Sequence, residues 1–198
     1  VQTCALPILI IVGANPAISK WSFLQVSNPI ERLREIEQRG GKIFVVDPRK
    51  TETAKVAGEH VFIRPGTDVF FYLAFLTELV KQGGIDMDRV RTHTTGYDEV
   101  VALAAPWTPD RQEEVTKVPA ATLRAMVTAY RTATRGAAIY CSTGVNMGGN
   151  GGLAFWIQEV INCVSGNLDK RGGLLVGEGV IDFAKFGKRT GTLLRTDK

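Results

Sequence analysis

Asp47 and Arg49, placed two residues apart at the end of an apolar run, are the first residues in this chain whose types and spacing could do chemistry. An ionised Asp accepts hydrogen bonds from hydroxyl or ring N–H groups, whereas the Arg fork only donates. The run before them, Ile43 to Val46, is β-branched or aromatic throughout. It fits a strand covered on both faces, and Pro48 stops it. In an open parallel sheet, the crevice outside the carboxyl ends of the strands is where nucleotides are held. An ordinary turn carrying a solvated charge pair would show the same residues, so the neighbours must decide.

Two further strand ends carry similar polar punctuation: Gly13-Ala14-Asn15-Pro16 and Gly66-Thr67-Asp68. In a parallel sheet all three lie on one edge and together make a site. Gly13 lets the backbone approach a phosphate closely, and Asn15 can donate to it. Asp47 suits a ribose hydroxyl, Asp68 can accept from the N–H groups of a purine edge, and Arg49 can stack or pair with an anion. A glycine-rich stretch over 144–152, opening a helix, adds backbone N–H groups as a fourth wall. Each signal is weak alone, because Gly and Pro at turns need no ligand to explain them. A dinucleotide fingerprint needs G-x-G-x-x-G after the first strand, and this chain has one glycine followed by a proline there, which argues against an ordinary NAD-binding domain.

The elements that must position these residues alternate as parallel sheets require. Strands are expected over 9–12, 43–46, 60–64 and 137–142. A loop through about residue 27 precedes the first helix, which has Asn28 as N-cap, Pro29 at its first position and Ile30, Leu33 and Ile36 as its sheet-facing stripe. Gly40 and Gly41 end it. A helix over 69–82 is apolar nearly all round and so belongs between layers. Residues 84–135 read as a helical insertion, with short helices over 86–92, 97–104, 109–116 and 120–134. The last helix has an apolar face of Leu153, Trp156, Ile157, Val160, Ile161 and Val164. Strands linked through helices predict an α/β fold: a doubly wound, mostly parallel sheet with helices on both faces.

Composition narrows the function classes. The chain has 198 residues, 44% hydrophobic and 22% charged, with no run long enough to span a bilayer. The net charge of +4 suits an anionic ligand, but the basic residues are dispersed, so nucleic acid is not an expected partner. Residues 1–8, VQTCALPI, read as the in-frame translation of a short-read sequencing adapter and are set aside with Cys4, leaving the true N-terminus missing. Residues 9–177 then form the α/β domain, and 178–198 begin a following, truncated segment. Of the remaining cysteines, Cys141 and Cys163 match neither a zinc pattern nor a disulfide framework and read as small core residues. His60 and His93 have no partner that suggests a metal site or a catalytic dyad.

Taken in order, Ile11-Val-Gly-Ala-Asn-Pro-Ala17, Val45-Val-Asp-Pro-Arg-Lys-Thr-Glu-Thr-Ala54, Arg64-Pro-Gly-Thr-Asp68 and Ser165-Gly-Asn-Leu-Asp-Lys-Arg-Gly-Gly173 resemble the molybdopterin oxidoreductases of the dimethyl sulfoxide reductase family. His93-Thr-Thr-Gly-Tyr-Asp-Glu99 resembles their connecting segment. The resemblance implies a fragment that holds one molybdopterin guanine dinucleotide of a molybdenum or tungsten enzyme. It implies that Gly13, Ala14, Asn15 and Pro16 contact the pyrophosphate side. Asp47, Pro48, Arg49 and Thr51, with Gly66, Thr67 and Asp68, would surround the guanosine, Asp68 reading the guanine. Thr143, Gly144, Asn146 and Met147 fall where the strand-to-loop segment approaches the cofactor.

The same resemblance places an iron–sulfur cluster and the metal-ligating residue upstream of this sequence. Two cysteines cannot supply a Cys4 cluster, so no catalytic residue and no metal ligand is named here. The implied chemistry is two-electron redox of a small substrate such as formate or nitrate, with possible electron-transfer subunits as partners; the fragment alone is expected to be inactive. Compartment is left unknown, with the cytoplasm ahead of the periplasm. A pterin-free electron-transfer subunit of the same fold and a generic nucleotide-binding dehydrogenase are the alternatives. Intact Asp47 and Asp68 count against the first, and the missing glycine fingerprint against the second.

Overall fold

Four short apolar segments pair side by side into an all-parallel sheet in the order β3-β2-β1-β4. They are β1 (Ile8–Val12), β2 (Lys42–Val46), β3 (Glu59–Val61) and β4 (Ala137–Cys141). The structure is a computed structural model describing residues 8–20 and 28–175. The adapter reading therefore lies outside the described residues except at Ile8, which pairs with Lys42 and Ala137, and the segment over 178–198 lies outside them altogether. Every residue of β1 is buried. Ile8, Ile10 and Val12 join Phe44, Val46 and Val61 on one face, while Leu9 and Ile11 join Ile43 and Val45 on the other. Burial on both faces is why the strands read as unbroken apolar runs.

Ten helices accompany the sheet among the described residues: α1 (Pro16–Ser19), α2 (Pro29–Gln38), α3 (Glu52–Val56), α4 (Asp68–Lys81), α5 (Met87–His93), α6 (Tyr97–Ala104), α7 (Pro109–Thr116), α8 (Ala120–Thr132), α9 (Thr143–Asn146) and α10 (Gly151–Val164). Leu33 of α2 and Ala54 of α3 cover one face of the sheet. The other face belongs to α4, α8 and α10. As its composition requires, α4 is buried nearly all round: Phe71, Tyr72, Ala74, Phe75, Leu76 and Leu79 are fully enclosed, with α6, α7 and α8 closing over it. Each buried Phe or Leu side chain among them contributes about 1.5–3 kcal/mol on burial. This places the N-terminus of α4 rigidly against the sheet.

Several expectations are corrected. The loop expected after residue 16 begins as α1, with Pro16 at its first position. Asn28 does precede α2, but in a left-handed conformation and without capping it; its carboxamide donates to Glu31 at 2.6 Å. The strand expected over 60–64 is only Glu59–Val61, because the Arg64 N–H turns away to the Thr116 carbonyl at 2.7 Å. The expected face of α10 is rotated. Leu153 and Trp156 are about half exposed, whereas Ala154, Gln158 and Asn162 are buried beside Ile157, Ile161 and Val164.

Asn162 explains that rotation. The outer edge of β4 needs hydrogen-bond partners. The Asn162 carboxamide takes the Ile139 N–H at 3.1 Å and donates to the Ile139 carbonyl at 3.0 Å, while its oxygen also receives the Tyr130 hydroxyl at 3.0 Å. Asn167 accepts from the Ala137 N–H at 3.0 Å. The glycines that follow let the chain close tightly on this edge, since a Cβ on Gly136 would meet the Gly172 backbone at 2.5 Å. Asn162→Ala strands the Ile139 pair in a buried setting and leaves the Tyr130 hydroxyl only its hydrogen bond with the Ser165 hydroxyl at 3.0 Å. The expected cost is about 2–4 kcal/mol, read as a lower urea midpoint with an unchanged slope.

Candidate functional site

The carboxyl ends of β1 and β4 are where the strand order reverses, since β2 and β3 lie on one side of β1 and β4 on the other. Here two backbones meet. The Gly144 N–H donates to the Gly13 carbonyl at 3.0 Å. A Cβ on Gly13 would lie 2.9 Å from the Val145 nitrogen, and one on Gly144 would lie 2.7 Å from the Gly13 oxygen. Gly13 also has φ +58. Its glycine identity is therefore accounted for by this contact, where the sequence suggested close approach to a phosphate.

A shallow groove opens beside that contact. It is lined by Gly66, Asp68, Val145, Gly148, Asn150 and Gly151. At Gly66 the backbone has φ +74, and a side chain there would meet nothing, so the residue faces open space. The groove is bounded by the first turns of α4 and α10, each 14 residues long. First-turn N–H groups have no carbonyl partner within their own helix, and they give the groove a partial positive charge. Asp68, the first residue of α4, is only 8% exposed. Burial raises its pKa above the ordinary carboxylate range, its own backbone N–H opposes that shift, and the Asp47 charge adds to it.

The turn after β2 forms a second wall. The Asp47 carboxylate accepts the Arg49 N–H at 2.9 Å, and its carbonyl lies 3.1 Å from His60 Nε2. The Arg49 guanidinium is spread over both oxygens of Glu52 at 3.3 Å. Glu52 also receives the Asn15 amide at 2.7 Å. The Glu52 carboxyl is held down to about 2, first by Arg49, then by its own backbone N–H and by Asn15. Asn15 Oδ1 in turn accepts from the Thr53 hydroxyl at 2.7 Å and the Thr53 N–H at 3.2 Å. The end of β1 is thus fastened to the start of α3.

The residues singled out in the sequence divide accordingly. Asp47, Gly66 and Asp68 meet at the groove or beside it. Pro48 and Arg49 are exposed on the adjacent turn, and Thr143, Gly144, Asn146 and Met147 are exposed at α9. Ala14, Pro16, Thr51 and Thr67 are buried. Thr51 caps α3 through the Ala54 N–H at 3.2 Å, and Thr67 donates to the Arg64 carbonyl at 2.7 Å, so both hydroxyls are engaged internally. The stretch 144–152, expected as a loop, begins inside the short helix α9 and ends inside α10. Asn146 takes the Cys141 thiol at 3.8 Å, and burial pushes that thiol up to about 12, which keeps it protonated. Glu52 and Thr53 were not singled out, although an acid three residues after Arg49 at a helix start was a signal available in the sequence. Among the described residues, no cluster of His, Cys, Asp and Glu could hold a metal ion.

Comparison with known proteins gives this edge its context. No family model matches the chain. Formate dehydrogenase H of Escherichia coli is 28% identical over 165 residues, 82% of this chain and 22% of that protein. An assimilatory nitrate reductase of Haloferax mediterranei is 41% identical over 92 residues, 46% of this chain and 12% of that one. The proteins it is similar to are molybdopterin oxidoreductases of the dimethyl sulfoxide reductase family. The structure of acetylene hydratase from Pelobacter acetylenicus matches this fold with a TM-score of 0.71 at 23% identity, covering 80% of this chain and 21% of that one. The chain spans about a fifth of the length of the formate dehydrogenases it matches.

Asp68 carries a measurable consequence. Its pKa is higher folded than unfolded, so the folded state favours the protonated form. Any stability this preference contributes is present below the unfolded value and lost as pH rises through the folded one. At neutral pH the buried charge therefore works against folding. Asp68→Asn is expected to raise the melting temperature at pH 7, with the gain shrinking toward pH 3 in thermal melts across that range.

Proposed function

We propose that this chain holds the guanosine and pyrophosphate of one molybdopterin guanine dinucleotide within a longer molybdenum or tungsten oxidoreductase acting on a small substrate of the formate or nitrate kind. The observation that carries this reading is the groove between Asp68 and the first turn of α10, at the sheet's switch point. Its donor set suits the group. First-turn N–H groups other than those of Gly151 and Phe70, which the Gly148 and Thr67 carbonyls already take, would offer hydrogen bonds to pyrophosphate oxygens, and a desolvated carboxylate offers an acceptor to the N–H edge of guanine. Gly66 and Gly148 leave the groove free of side chains at the point where their backbones come close, a Cβ on Gly148 lying 3.9 Å from the Gly66 Cα.

When bound, the metal with its pterins supplies two-electron oxidoreduction, and the protein's share is positioning and electrostatics. Asp68 would hold the base and Asp47 a ribose hydroxyl, with α4 fixed by its packing. Arg49, already tied to Glu52, contributes its remaining N–H groups to the wall. An iron–sulfur cluster, the metal ligand and electron-transfer subunits belong to the proposal for the whole protein, as does a cytoplasmic setting. No described helix is long and apolar enough to cross a membrane.

The test uses the full-length protein. Acid treatment should release guanine nucleotide alongside stoichiometric molybdenum or tungsten, and Asp68→Ala should lower the retained nucleotide at least about tenfold, as expected for losing a charged hydrogen bond of 1.5–3 kcal/mol. Full-length protein that carries the metal but no guanine nucleotide would sink the reading.

A further inference from the structure

Asn15 stands at the end of β1 with its carboxamide orientation dictated by its neighbours. The Thr53 backbone N–H can only donate, so the atom facing it at 3.2 Å is the Asn15 oxygen. The Glu52 carboxylate, ionised with its pKa held down to about 2, can only accept, so the atom facing it at 2.7 Å is the Asn15 nitrogen. The Thr53 hydroxyl fills the second lone pair of that oxygen at 2.7 Å and itself receives the Ala17 N–H at 3.0 Å. Thr53 is fully buried, whereas Asn15 is half-buried. An amide oxygen has two lone pairs and an amide nitrogen two hydrogens. Both acceptor sites are filled, and one N–H remains without a partner among the described residues.

We infer that Glu52 and Thr53 are positioning residues, which hold Asn15 so that the turn after β1 presents a hydrogen-bond donor and no acceptor, and thus receives a phosphate or carbonyl oxygen of the ligand. The inference rests on the nucleotide-holding role proposed above and adds what sets the polarity of this wall. Arg49 obeys the same constraint. Its guanidinium is oriented by the same Glu52 carboxylate, which offsets the Arg charge while leaving outer N–H groups to donate. Glu52 therefore holds the ends of β1 and β2 in one arrangement, with donors from both and a full negative charge kept between them. A ligand group that must itself donate finds no acceptor on the Asn15 or Arg49 side chains and is left to Asp47 or Asp68.

Full-length protein loaded with its cofactor provides the test, read as guanine nucleotide retained per polypeptide after dialysis. Thr53→Val keeps the branched shape and removes the hydroxyl, so retention should fall about three- to tenfold, the worth of one net hydrogen bond. Thr53→Ser should restore it to within about twofold, as a residue acting through its hydroxyl requires. In an Asn15→Ala background, Thr53→Val should add less than about twofold, because coupled residues do not add. A merely structural threonine would lower retention equally in both backgrounds. Wild-type retention by Thr53→Val, or a full additional loss in the Asn15→Ala protein, would overturn the inference while leaving the guanine-nucleotide reading in place. Absence of nucleotide from the unmodified protein would instead strike that reading. Should Thr53→Val fail to fold, Glu52→Gln supplies the second route. It keeps an acceptor for Asn15 but loses the charge on Arg49, so it should retain more nucleotide than Glu52→Ala, and equal retention by the two would count against Glu52 as an orienting group.

Discussion

The backbone contact between Gly13 and Gly144 is the constraint on which the rest of this edge depends. Two parallel strands that diverge into different halves of the sheet must separate their following turns, or the switch point closes. Here they are brought together at a single hydrogen bond of 3.0 Å, with no side chain on either partner. Everything after that point fans outward. The β1 turn goes to α1 and the Asn15 network, the β4 turn goes to α9 and α10, and the groove is what remains between them. Van der Waals contact between main chains cannot be relieved by a rotamer change, so the geometry of the opening is set by the fold itself.

The site also shows an uneven treatment of charge. Glu52 is exposed enough to be solvated and is paired, and its carboxyl titrates far below the ordinary range. Asp68 is buried at a helix start, beside the Asp47 charge, and titrates above it. A helix N-terminus favours an anion, yet desolvation wins at this position. Polar groups that cost stability in an empty protein are a common mark of a binding surface. The contrast separates the framework of the edge, built from Glu52, Arg49, Asn15 and Thr53, from the group left to meet a ligand.

Much of this was legible in the sequence, and the failures have physical causes. The unbroken apolar runs of β1, β2 and β4 could only be strands covered on both faces, and the all-round apolar character of α4 required burial between layers. The placement of Asp47 and Asp68 on one edge was legible because strand ends in a parallel sheet share that edge. That the hydroxyls of Thr51 and Thr67 are engaged internally could not be read from the sequence, because a hydroxyl at a helix start looks the same whether it bonds within the fold or awaits a ligand. The α10 face was missed for another reason. With apolar residues all round that helix, hydrophobic periodicity does not choose a face, and the choice fell to Asn162, a polar residue serving a strand edge some twenty residues earlier in the chain. Glu52 and Thr53 escaped notice because their partner, Asn15, is remote in sequence, and only the sheet brings the two turns together.

The carboxamides of Asn162 and Asn167 have a consequence for assembly. An edge strand with free N–H and C=O groups is a template on which another chain can add a strand. On β4 the Ile139 pair and the Ala137 N–H are already occupied by side chains of the same molecule. The opposite edge is β3, only three residues long and opened by the exposed Glu59. One border of the sheet is thus closed chemically and the other is kept short and charged. A strand added to this sheet would then find its partners on the β3 border and not on β4.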